Sequence, residues 1–118
     1  MRAHLLQYDI AWEDKQANHE IVDRLLHGCR PSRGDLVVLP EMFDTGFSMR
    51  TERTGADPEK SLGFLADISR GLGVFVVASI PLPLTEPTED GRDCCNRAYV
   101  VGPEGGVLGS ANKIHPYS

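Results

Sequence analysis

The chain has 118 residues, which fits one domain or part of one and is long enough to bury a hydrophobic core. Its 41% hydrophobic and 25% charged residues are ordinary for a soluble globular protein. The net charge of -5 argues against a general nucleic-acid-binding protein, which would need a basic surface. The sequence has no apolar run that could cross a bilayer and no signal peptide, so we expect a cytoplasmic protein without a membrane partner.

The cysteines give little sign of a metal centre. There are three, an odd number, and they lack the paired spacing of a zinc site. Cys94 and Cys95 are adjacent at the predicted start of a strand, where semi-buried thiols are the simpler interpretation. We expect a reducing compartment, no metal and no cofactor.

The N-terminal segment predicts a strand at residues 3–8 and a helix at residues 13–29. Apolar residues recur along the helix at helical spacing and form one apolar stripe. This stripe consists of Ala17, Ile21, Val22, Leu25, Leu26 and Cys29. His19 and His27 are predicted to be solvated surface residues of the helix.

The second predicted strand leads directly to a candidate functional residue. Residues 36–39 are four consecutive aliphatic residues, a pattern that predicts a strand buried on both faces. Pro40 has no backbone N–H and ends the strand. Glu41 therefore follows the carboxyl end of a buried strand, the edge at which open α/β sheets bind ligands. By position alone, Glu41 fits either a solvated loop residue or a functional carboxylate.

The segment at 42–49 has no clear periodicity. It contains two aromatic residues, Phe43 and Phe47, and two methionines around Gly46. Such a loop can line an apolar pocket, or its side chains can cap the core. Phe43 and Phe47 are candidates for contact with a substrate.

The remaining elements complete an α/β pattern. Asp57 and the proline after it predict the start of a second helix that ends near Gly73, and residues 74–80 form another apolar strand. The order βαβαβ predicts parallel strands with helices packed on the sheet. Pro81 and Pro83 predict an extended connection. Strands at 96–102 and 107–111 are predicted to form an antiparallel hairpin.

Two short segments, in this order, resemble the nitrilase superfamily of carbon–nitrogen hydrolases. The first follows the second strand and reads Leu39-Pro40-Glu41-Met42-Phe43. The second follows the hairpin and reads Asn112-Lys113-Ile114-His115. Residues 7–13 and 40–49 are similar to the omega-amidase branch. The resemblance implies an α/β fold in which residues 1–118 are a partial carbon–nitrogen hydrolase domain, the N-terminal part of a four-layer αββα sandwich.

The resemblance also implies a Glu–Lys–Cys site that hydrolyses an amide or nitrile through a thiol acyl-enzyme. Glu41 takes the role of general base, and Lys113 that of the cationic donor to the oxyanion. In that family the nucleophilic cysteine follows the lysine, whereas Cys29, Cys94 and Cys95 all precede Lys113. We assign the role of nucleophile to no cysteine of this chain and expect the chain alone to be inactive.

The omega-amidase resemblance implies a small-molecule amide substrate, a monoamide of a dicarboxylic or α-keto acid. It leaves a homodimer open for the full-length form. One alternative is a non-catalytic half-domain that binds or assembles with another chain. Another is an unrelated small α/β domain in which the glutamate and the lysine are incidental. Half a sheet would leave an apolar edge strand uncovered, which favours pairing with another chain.

Overall fold

The computed structural model describes residues 1–46, 57–83 and 94–112. The elements in these ranges are β1 (Ala3–Leu5), α1 (Lys15–Cys29), β2 (Leu36–Val38), α2 (Pro58–Leu72), β3 (Phe75–Pro83), β4 (Cys94–Val101) and β5 (Val107–Asn112). None of the helices in the described ranges is long and apolar enough to span a membrane.

The strands of the described ranges form one sheet in the order β1-β2-β3-β4-β5. β1, β2 and β3 are parallel to their neighbours, and α1 and α2 make the two crossovers. β4 runs antiparallel to both of its neighbours, β3 and β5. The predicted βαβαβ arrangement and the C-terminal hairpin are therefore confirmed.

The core lies between the sheet and the two helices. Alternate residues of β3, Val76 and Ile80 among them, pack into one cluster with Val22 of α1 and Leu65 of α2. The prediction that β2 is buried on both faces is wrong for this chain. Val37 is fully buried, whereas its two strand neighbours are only half-buried, because the helices cover a single face of the sheet.

β1 is shorter than predicted, and the first helix begins later. The strand ends at Leu5, whose side chain is exposed, because its partner β2 offers only three residues for pairing. Asp14 is the N-cap of α1, and its carboxylate accepts a hydrogen bond from the Ala17 N–H at 3.0 Å. Cys29 is exposed, so its assignment to the apolar stripe is wrong.

The second helix follows its predicted boundaries closely. Asp57 caps it by accepting from the Lys60 N–H at 3.1 Å, and Pro58 occupies the first turn. Gly73 ends the helix in the left-handed conformation with a φ of 67°, a backbone state that favours glycine.

The prediction of a proline-rich connection after the third strand is wrong for Pro81 and Pro83, which belong to β3. Both residues pair with β4. The register with β2 covers only residues 75–77, so the far half of β3 has an edge on that side. Prolines are tolerated at such edges because the N–H that proline lacks would face no partner strand there.

β5 forms the other edge of the sheet. Its six residues are all exposed, including the apolar side chains of Val107 and Leu108. Exposed apolar edge strands favour pairing with another chain. Association through this edge stays a prediction.

Asp35 ties the N-terminus to the turn that precedes β2. Its carboxylate accepts hydrogen bonds from the Arg2 N–H at 3.0 Å and the Ser32 N–H at 2.9 Å, and its Oδ2 lies 2.9 Å from His4 Nε2. The hydrogen bond with His4, followed by those from the two backbone N–H groups, holds the pKa of the Asp35 carboxyl well below its ordinary value.

This lowered pKa predicts acid sensitivity. The unfolded chain takes up the Asp35 proton more readily than the folded chain, so the contribution of Asp35 is present above its ordinary pKa of 3.8 and is lost as pH falls below that value. We expect Asp35→Asn to lower the midpoint of urea unfolding at pH 6. The difference from the unsubstituted chain should shrink steadily towards pH 2. An unchanged difference across this range would contradict the assignment.

Candidate active site

A cleft of about 340 Å³ lies at the carboxyl end of β2, on the sheet face away from the helices. Val77 and Ser79 of β3 line this cleft and alternate with the core residues Val76 and Ile80. Most of the lining is apolar. The polar side chains among the lining residues are Glu41, Ser79, Asn96 and Asn112.

The structure places Glu41 where the sequence predicts it, in the turn that follows β2 and at the cleft. Lys113 lies outside the described residues. Asn112, which directly precedes Lys113 in the sequence, lines the same cleft as Glu41. The sheet therefore brings the end of β5 and the end of β2 to one cavity, although β3 and β4 lie between them.

The turn formed by residues 41–46, called the Glu41 turn below, is fixed at its start by its neighbours. Met42 donates its N–H to Ser79 Oγ at 3.0 Å, which ties the turn to β3. The hydroxyl of Tyr8 donates to the Phe43 carbonyl at 2.7 Å, which ties it to the segment after β1. Burial, and after it the charge of Asp44, raises the pKa of Tyr8, so the hydroxyl keeps its proton for this bond.

The end of the Glu41 turn is bonded to the segment before α1. The Glu13 N–H donates to the Thr45 carbonyl at 2.9 Å, and the Gly46 N–H closes the turn on the Met42 carbonyl at 2.9 Å. Gly46 has a φ of 78°, and a Cβ at this position would lie 3.0 Å from Cε3 of Trp12. Both the backbone conformation and the close ring therefore favour glycine at position 46.

Asp44 is the buried polar centre of the turn. Its carboxylate is fully buried, and Oδ2 accepts hydrogen bonds from His19 Nε2 at 3.0 Å and from Ser61 Oγ. The prediction that His19 is a solvated surface residue is wrong, because its ring lies among aromatic side chains. It stacks on Phe64 with a centroid separation of 3.9 Å and lies 5.8 Å from Phe43.

Sequence reasoning overlooked this cluster of His19, Asp44 and Ser61, although one signal was present. His19 precedes Val22 by three residues and Leu26 by seven, so it lies on the apolar face of α1. His27 lacks that spacing and is exposed. Nothing in the local sequence showed that a carboxylate from another segment would meet the histidine.

Phe43 and Phe47 are the aromatic candidates for contact with a substrate, and of the two the structure describes Phe43. Phe43 is fully buried in the core and is not among the residues that line the cleft. Phe47 lies outside the described residues. Contact between either ring and a substrate stays a prediction.

The structure describes the thiols of Cys29 and Cys95. Burial raises the pKa of Cys95, which disfavours the thiolate, and its Sγ lies 3.7 Å from Asn112 Oδ1. Cys29 is exposed at the end of α1 and is not among the residues that line the cleft. Within residues 1–46, 57–83 and 94–112, no group of three His, Cys, Asp or Glu side chains could hold a metal ion.

Comparison with known proteins identifies the family. The sequence profile of the family described as Carbon-nitrogen hydrolase matches residues 2–118. The chain belongs to the carbon–nitrogen hydrolase family. The resemblance to the nitrilase superfamily is thereby confirmed, and the interpretation as an unrelated α/β domain is wrong.

Two curated members of the family are similar in sequence. A protein named nitrilase from Pyrococcus abyssi is 35% identical over 104 aligned residues, and the match covers 83% of this chain and 37% of that protein. Omega-amidase YafV from Yersinia enterocolitica is 32% identical over 108 residues, 92% of this chain and 39% of that protein. The chain therefore spans less than half the length of these relatives.

The fold is also shared with solved structures of the family. A CN-hydrolase superfamily protein from Xanthomonas campestris, whose structure has an arsenic adduct in its active site, superimposes with a TM-score of 0.79 at 26% identity. The match covers 99% of this chain and 42% of that chain. The predicted α/β fold of the nitrilase type is confirmed.

The bond from Tyr8 to the Glu41 turn leads to a prediction about stability. Tyr8→Phe leaves the Phe43 carbonyl without this donor, and we expect the free energy of unfolding to fall by about 1 kcal/mol. Tyr99→Phe is the matched control, because the described residues offer its hydroxyl no hydrogen-bond partner. Urea unfolding followed by circular dichroism measures both. Equal losses in the two variants would contradict a specific role for the Tyr8 bond.

Proposed function

We propose that this chain is the N-terminal portion of an amidase of the carbon–nitrogen hydrolase family. Its substrate is a small molecule with a terminal amide, a monoamide of a dicarboxylic or α-keto acid. Glu41 is the general base, Lys113 stabilises the oxyanion, and the nucleophile is a cysteine from outside these residues. The observation that carries the proposal is that Glu41 and Asn112, the residue before Lys113, line one cleft.

The proposed reaction has two steps, formation of a thioester and its hydrolysis. Glu41 takes the proton of the thiol while sulfur bonds to the amide carbon, and Lys113 donates to the oxyanion that forms. The C–N bond then breaks, Glu41 returns the proton to the leaving nitrogen, and ammonia departs from a thioester. Water, deprotonated by Glu41, hydrolyses the thioester and releases the acid and the thiol.

The character of the cleft supports a small substrate. Its volume of about 340 Å³ is near the lower end of ligand sites, and its walls are built largely from valine and alanine. An apolar wall beside a carboxylate suits a reaction in which charge must be held by fixed groups instead of by water. The preference for an amide rests on the omega-amidase similarity, since the other curated relative is named a nitrilase.

The first prediction of this proposal concerns the chain by itself. We expect the purified 118-residue chain to release no ammonia from small ω-amides above the level of its Glu41→Gln variant, because no thiol of the chain is in the position of the nucleophile. A coupled glutamate dehydrogenase assay measures the ammonia. Release by the unsubstituted chain that Glu41→Gln abolishes would overturn the prediction.

The second prediction concerns the longer product, which requires reading the DNA beyond the codon for Ser118. A downstream cysteine at a strand end completes the proposed site. In that protein, Glu41→Gln should lower kcat/KM by about 10²- to 10⁴-fold, the usual contribution of a general base. Glu59→Gln removes the same charge at an exposed position in the first turn of α2 and should leave activity unchanged. Equal activity of both variants would refute the role of Glu41.

A second candidate function is a non-catalytic half-domain that assembles with another chain. The observation that favours it is the exposed β5 edge, where Val107 and Leu108 present apolar side chains. A stop codon directly after Ser118, together with a stable partner that copurifies, would select this function over the amidase.

A further inference from the structure

We propose that Ser61 and His19 are positioning residues for Glu41. They hold the Asp44 carboxylate from two different helices and so fix the Glu41 turn against the helix layer. The inference rests on the proposed role of Glu41 as general base, and it adds residues on the opposite face of the sheet from the cleft.

The connection begins with the position of Asp44. It lies three residues after Glu41 in the same turn, and its side chain points into the core. Its Oδ2 accepts from His19 of α1 and from Ser61 of α2. A buried carboxylate is costly unless it is hydrogen-bonded, so the turn cannot move Asp44 away from these donors without a large penalty.

The donors are themselves held in place. The His19 ring lies nearly parallel to that of Phe64, at 4° between planes and 3.9 Å between centroids. Phe64 and Ser61 are three residues apart on α2 and therefore share one helix face. Phe43, the turn residue before Asp44, stacks against both rings. Both helices thus converge on the Glu41 turn through this one cluster.

The backbone beside Glu41 needs such support. Met42, the next residue, has a φ of 52°, a conformation that a side-chain-bearing residue keeps only when its surroundings enforce it. Its N–H is held by Ser79 on the sheet side, and Asp44 is held on the helix side. Loss of the hydrogen bonds from His19 and Ser61 to Asp44 would let the backbone at Met42 relax, and Glu41 would move with it.

Two serines of α2 provide a matched test. Ser61 and Ser69 are both fully buried, and each hydroxyl makes one hydrogen bond. Ser61 donates to Asp44 in the Glu41 turn, whereas Ser69 donates to the Leu65 carbonyl of its own helix at 2.9 Å. Ser61→Ala and Ser69→Ala therefore remove the same group from the same helix, and only the first touches the turn.

Two histidines of α1 provide a second pair. His19→Gln alters the other donor to Asp44, and His27→Gln is its control at an exposed position on the same helix. This pair keeps the test decisive if Ser61→Ala fails to fold, which the midpoint of urea unfolding shows directly.

The readout in the 118-residue chain is NMR of Glu41 and its turn. We expect Ser61→Ala and His19→Gln to shift the Glu41 side-chain carboxyl signal and the amide signals of residues 42–46, and to change the pH titration of that carboxyl. Ser69→Ala and His27→Gln should leave these signals in place. The midpoint of urea unfolding should fall further for Ser61→Ala than for Ser69→Ala, because only Ser61 donates to a buried carboxylate. The NMR spectra are compared well below both midpoints, which separates positioning from general stability.

In the longer, active product the same substitutions should lower kcat by about tenfold or more while KM changes less than about twofold, because a misplaced base slows chemistry without removing substrate contacts. Equal effects of Ser61→Ala and Ser69→Ala on Glu41 and on kcat would overturn the proposal. If Glu41→Gln retains activity, the role of Glu41 as base is lost. The NMR comparison still decides whether the cluster positions the turn.

Discussion

The buried Asp44 carboxylate is the constraint on which the arrangement of the candidate site depends. A buried carboxylate requires donors, and α1 and α2 each supply one to the Oδ2 atom. The turn that carries Asp44 also carries Glu41, so the core side and the cleft side of the sheet are linked by a few residues of backbone. The contacts that hold the two helices together therefore also position the turn that carries the proposed base.

The sequence was sufficient wherever a local rule decides the structure. Apolar runs marked the inner strands, Asp57 with Pro58 marked the start of α2, and Pro40 marked the end of the strand before Glu41. The sequence was insufficient where a contact with a residue from a distant segment decides the structure. Pro81 continues a strand because β2 is too short to need its N–H, and His19 is buried because Asp44 meets it from another segment. Neither fact is visible in a window of neighbouring residues.

Within the described ranges, the helices cover only one face of the sheet, and this asymmetry explains why a cleft lies on the other face. Val77 and Ser79 would be core residues if a further layer lay on them, but in this chain they line an open cavity. The relatives are more than twice as long, and the proposed nucleophile belongs to the portion that these residues do not contain.

An open cleft also bears on the proposed chemistry. Glu41 is exposed, and in a site open to water the attraction between a carboxylate and a cation is weakened by the high dielectric constant. Covering the apolar walls with further chain would exclude the water and strengthen every charge interaction inside. The hydrogen bonds of Asp44 with the two helices would then fix the position of Glu41, while the added layer would exclude water from its carboxylate. Position and environment of the base would thus come from opposite faces of the same sheet.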